Sequence, residues 1–83
     1  MGGRRRPTEE MPEGRAVSVF AERFKLTAKE SQILSLLSQG LSNKDIAAVT
    51  AVTEPTVKAH LTHIFQKTGA SSRLSLLAKM MRA

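Results

Sequence analysis

The sequence predicts an all-α fold: four helices, preceded by a short additional N-terminal helix and a disordered basic arm. Three observations carry that prediction. Apolar residues recur at the spacing of one helix face, and no segment alternates apolar and polar residues as a half-buried strand would. Ser or Thr stands in front of four of these stripes, where a short hydroxyl can satisfy the free amides of a helix start. Gly40 and Gly69 stand where two of them stop. With 83 residues there is room for one domain.

Residues 1–14 hold Gly2, Gly3, the run Arg4-Arg5-Arg6, Pro7, Pro12 and Gly14, with only Met11 apolar beyond the start. That composition reads as a disordered arm, able to follow a phosphate backbone or enter a minor groove. Over 15–25, Val17, Phe20, Ala21 and Phe24 fall at i, i+3, i+4 and i+7, giving a short amphipathic helix or linker. Two turns do not persist alone, so its apolar face must pack on the domain or on a partner chain.

The domain proper spans 26–83. Thr27 and Glu30 form a capping-box pattern ahead of Ile33, Leu34 and Leu37, and Gly40 ends that helix after Gln39. Ser42 to Asp45 repeats the arrangement with Asp in place of Glu and opens a second helix to about Val49. Thr53 or Glu54 caps a third helix, over about 54–68, in which Pro55 occupies the first turn at no cost in hydrogen bonds. Ser71 or Ser72 caps a fourth, which carries Leu74, Leu76, Leu77, Met80 and Met81.

On the third helix, Val57, Leu61, Ile64, Phe65 and Thr68 cluster on the side that must be buried. Ala59, Thr62 and Gln66 fall opposite, with Lys58 and His63 flanking. Lys58 and Thr62 lie one turn apart with Ala59 beside them, so short or flexible groups can approach a base edge together. Lysine donates to guanine, threonine meets several base edges or a thymine methyl, and alanine permits close approach. The net charge of +6 attracts polyanions, and residues 40–83 hold six basic against two acidic side chains.

Other chemistry finds little support. No cysteine is present for a disulfide or thiolate site, and His60 and His63 alone make no metal centre. No nucleophile elbow or phosphate-cradling glycine loop occurs, so neither an enzyme nor a cofactor is expected. No apolar run approaches the roughly 20 residues that cross a bilayer, so no membrane partner is expected.

Taken together, Leu26-Thr27, Glu30, Leu34, Gly40, Ser42-Asn43-Lys44, Ile46-Ala47, Thr56-Val57-Lys58, His60, Ile64, Lys67, Gly69 and Arg73 resemble the helix-turn-helix domain of the LuxR/GerE family of bacterial transcription regulators. The resemblance covers Leu26 to about Leu77. It implies binding of double-stranded DNA as a homodimer, with the third helix in the major groove, in the cytoplasm at the bacterial nucleoid. It implies base contacts by Lys58, Ala59 and Thr62, and backbone contacts by Lys44, Thr53, Thr56, His60 and Lys67. It also implies dimer contacts on the fourth helix, for which Leu76 and Met80 are the candidates here, and RNA polymerase as a further partner.

Departures from the family pattern bear on the core. Thr50 and Thr68 stand where leucine is usual, and a buried threonine must find an acceptor, most easily the carbonyl four residues back. Leu76 replaces a small residue. Val49 stands where a polar residue is usual, which leaves either an exposed valine or a rotated helix. A competing reading is a protein-interaction module that sequesters a related regulator through Val17, Phe20 and Phe24 or through the fourth helix.

Overall fold

The structure, a computed structural model, describes residues 12–82. The expected arm lies largely outside these residues. Five helices and no strand occur among the described residues: α1 (Pro12–Phe24), α2 (Ala28–Ser38), α3 (Asn43–Thr50), α4 (Glu54–Thr68) and α5 (Arg73–Arg82). Helix α1 begins three residues earlier than its apolar spacing indicated. Proline fits the first turn of a helix, where its missing amide has no partner to lose.

The helix starts follow their caps. Thr27 and Glu30 close the reciprocal box, with Glu30 N donating to Thr27 Oγ1 at 3.1 Å and Thr27 N donating to Glu30 Oε1 at 2.9 Å. Ser42 Oγ accepts from Asp45 N at 3.2 Å, but Asp45 does not complete a box as Glu30 does. Its side chain is one methylene shorter. The cap of α4 is Thr53, whose Oγ1 accepts from Thr56 N at 3.4 Å. At α5 the cap is Ser72, and Ser75 Oγ returns the favour by accepting from Ser72 N at 3.1 Å.

The helix ends differ more than the glycines suggested. Gly40 ends α2 as expected, with φ 91°, its amide on Leu37 O and the next amide on Leu36 O. Helix α3 ends differently: the amides of Ala51 and Val52 both donate to Ala47 O, and the left-handed residue is Ala51, at φ 59° and ψ 40°. Lys25 takes that conformation after α1.

The core gathers Val17 and Phe20 of α1, Ile33, Leu34 and Leu37 of α2, Ile46 and Ala47 of α3, Val57, Leu61 and Ile64 of α4, and Leu76 and Met80 of α5. Helix α1 packs on α2 and α5, and α2 packs on α3 and α4. Of the two openings left for the apolar face of α1, the chain takes the first: it packs on the domain. Phe20 is fully buried, and burying such a ring is worth about 1.5–3 kcal/mol.

Both buried threonines bond as expected. Thr50 Oγ1 donates to Ile46 O at 2.7 Å, and Thr68 Oγ1 donates to Ile64 O at 2.8 Å while also accepting from Ala70 N. Val49 is exposed, so α3 keeps its orientation. One expectation is corrected. Leu76 and Met80 are buried, at 0% and 3% exposure, and cannot present a surface to a partner. Five apolar residues surround α5, and the covering helix α1 decides which of them face inward. Those left outside are Leu74 and Met81, 78% and 80% exposed.

Candidate nucleic-acid interface

Helices α3 and α4 pack against each other and are joined by three residues, Ala51 to Thr53. The joint is short and hydrogen-bonded at both ends. Val52 N donates to Ala47 O at 3.0 Å, which closes the end of α3, and Thr53 immediately caps α4. With Val57, Leu61, Ile64 and Thr68 facing the core, α4 exposes Lys58, Ala59, Thr62, His63 and Gln66. The three residues assigned to base reading thus share one solvent face of a single helix.

Thr62 is constrained within that face. Its hydroxyl donates to Lys58 O at 3.0 Å. With the proton on the helix carbonyl, the oxygen lone pairs and the methyl group are left for a ligand. Lys58 supplies a donor one turn earlier, and Ala59 adds no bulk. The face therefore combines a donor, an acceptor and an apolar contact.

The residues assigned to phosphate divide. Lys44 is exposed in the first turn of α3, Thr53 is the exposed cap of α4, and Thr56 and His60 are half-buried along the same helix. The two threonine hydroxyls are 2.9 Å apart and bond to each other. Helix starts favour anions through free amides and the helix dipole. Asp45 and Glu54 already occupy the first turns of α3 and α4, so the cation of Lys44 adds the attraction that those acids weaken.

Lys67 behaves differently. Its ammonium donates to Glu30 Oε1 at 2.7 Å and to Lys25 O at 3.4 Å, and Glu30 is buried. Burial pushes the Glu30 carboxyl up, but the Lys67 and Thr27 hydrogen bonds and the Lys67 charge outweigh it and hold Glu30 below its ordinary value. A second long-range tie, like the first, has no local signal in the sequence. Arg73, in the first turn of α5, donates to Asn43 Oδ1 and to Leu41 O at the start of α3. The one sequence signal for either tie was that Glu30, Asn43, Lys67 and Arg73 all stand among the residues carrying the resemblance.

Two helices, a three-residue joint and a polar outer face on the second helix define a helix-turn-helix domain. Residues 25–80 match the family described as bacterial regulatory proteins, luxR family, and the chain belongs to it. Over 57 residues, 69% of this chain, it is 46% identical to a protein of Mycobacterium bovis named as an HTH-type transcriptional regulator, of which the match covers 6%. It is 44% identical over 50 residues to the nitrate/nitrite response regulator protein NarP of Escherichia coli, covering 60% of this chain and 23% of NarP. Identity to NarL of the same organism is 47% over 49 residues, 59% of this chain and 23% of NarL. The chain thus spans less than a quarter of the length of these relatives. No solved structure matches it significantly.

Among the described residues, no helix is long and apolar enough to cross a membrane.

Proposed function

We propose that this domain binds double-stranded DNA sequence-specifically as a dimer and serves a transcription regulator, with α4 lying in the major groove. The observation that carries this reading is the outer face of α4, where Lys58, Ala59 and Thr62 stand exposed together on a helix joined to α3 by three residues. Lys58 donates to a base acceptor, Thr62 accepts from a base donor or touches a thymine methyl, and Ala59 lets the helix approach. Lys44, Thr53, Thr56 and His60 hold the flanking phosphates and carry no sequence information themselves. Such a domain works in the bacterial cytoplasm, at the chromosome.

For the dimer, the exposed stripe of α5 replaces Leu76 and Met80. Leu74, Leu77, Ala78 and Met81 fall at i, i+3, i+4 and i+7, with Leu74 and Met81 almost bare. A second copy laid against this stripe buries it. The competing reading, a module that sequesters a related regulator, loses its first surface. Val17 and Phe20 are buried, and Phe24 is half-buried with Arg23 5.5 Å and Lys79 6.0 Å from its ring centre.

A salt titration of binding to a duplex pool tests the proposal. Each phosphate neutralised by a lysine or arginine releases counterions, so log affinity should fall linearly with log salt, with a slope of about −0.9 per neutralised phosphate. Undetectable binding to every duplex at low salt would sink the reading.

A further inference from the structure

The Lys67 ammonium, in the last turn of α4, holds three parts of the chain at once. It meets Glu30 in the first turn of α2 at 2.7 Å and the carbonyl of Lys25 at 3.4 Å, which the left-handed turn after α1 presents. Glu30 is in turn fixed by the Thr27 amide, and its other oxygen lies 3.9 Å from His63 Nδ1. At about 100° per residue, Lys67 lies about 180° around α4 from Lys58, and within about 20° of the direction of Thr56 and His60. What withdraws it from the phosphates is therefore its contact with Glu30 and not its direction on the helix.

We infer that Lys67 is a positioning residue that sets the angle of α4 against α2 through Glu30, and that it is not a phosphate ligand of the domain. This rests on the proposed DNA binding for its consequence, and on the Glu30 contact for its physics. A cation spent on a buried carboxylate is partly withdrawn from the counterion balance with DNA. Releasing it to reach a phosphate would leave the buried Glu30 carboxylate with the Thr27 amide and the more distant His63 but no close cation, which is unfavourable. The contact also places a cation at the C-terminal end of α4, where the helix dipole favours one.

The test compares Lys67→Met, Lys67→Arg and Lys44→Ala in the full chain, by duplex binding against salt and by carboxyl NMR titration of Glu30. Lys67→Met should keep the wild-type salt slope, lose several-fold in the ratio of specific to random affinity, and move the Glu30 midpoint upward. Lys67→Arg should restore both readouts toward wild type. Lys44→Ala should lower the salt slope by about one unit per protomer, about two for the dimer, and leave Glu30 unmoved. A slope that drops by as much in Lys67→Met, with the Glu30 midpoint unchanged, overturns the inference.

The unmodified protein gives an independent measurement. The Lys67 ammonium resonance should shift as Glu30 protonates and stay in place when duplex is added; the reverse pattern also overturns the inference. If the wild type binds no duplex, the functional reading fails, whereas the Glu30 titration still decides whether Lys67 is the strut.

Discussion

Replacing Ala51 by glycine should raise the stability of the domain. Ala51 joins the two helices of the groove-reading unit and sits at φ 59°, ψ 40°. For an L-residue this region costs about 1–2 kcal/mol, because the Cβ crowds the following carbonyl. Glycine removes that cost but brings a more flexible unfolded chain, which returns about 0.4–1 kcal/mol. Ala51 is exposed, so losing its methyl forfeits little buried surface. The two ranges leave a net gain between about 0 and 1.6 kcal/mol, with a mid-value of about 0.8 kcal/mol. In a domain of this size each kcal/mol moves Tm by about 4–8 °C, so an increase of about 3–6 °C is expected at the mid-value. Thermal unfolding followed by circular dichroism, with a urea series to show an unchanged m-value, measures it. Ala51→Val should move Tm the other way, because a β-branched side chain tolerates this conformation poorly. DNA affinity of Ala51→Gly should stay within about twofold, since the Val52 N to Ala47 O bond holds the joint in either protein. A lowered Tm in Ala51→Gly would refute the claim that the joint is strained.

Lys58→Ala should cost about 1–3 kcal/mol on a cognate site with little change on random duplex, whereas Lys44→Ala should weaken both alike. Identical behaviour of the two variants in paired binding isotherms would undo the division of roles. Leu74→Glu combined with Met81→Glu should leave helicity intact and shift sedimentation toward the monomer. Leu76→Glu should instead lower helicity, because that side chain is fully buried. Acid should weaken the fold through Glu30. Its folded value lies below its ordinary value near 4.5, so its stabilisation is complete above that pH and is lost as pH falls through the lower, folded value. Urea midpoints of the wild type should fall through that range more steeply than those of Glu30→Gln.

What could be read from the sequence was local. Thr27 with Glu30, Ser42 and Gly40 mark helix ends by chemistry spanning four residues or fewer, and the structure places them so. Thr50 and Thr68 were legible for the same reason, since a buried hydroxyl with no other neighbour reaches the carbonyl one turn back. The orientation of α5 was not legible. Leu74, Leu76, Leu77, Met80 and Met81 wrap most of the helix, and periodicity alone cannot say which side α1 covers. Lys67 with Glu30 and Arg73 with Asn43 are separated by 37 and 30 positions, and no local spacing encodes such meetings. Ala51 bears no local mark of its left-handed turn, because glycine is the residue that usually signals one.

The core does not stop where the family match does. Val17 and Phe20 lie outside residues 25–80, yet they belong to the same packed interior as Leu76 and Met80. A fragment trimmed to the matched residues would carry an oily scar along α2 and α5. Two such fragments would hide it by sticking together, and the resulting pair would pass in a sizing column for a native assembly. Oligomeric state is therefore interpretable only on protein that retains residues 12–24.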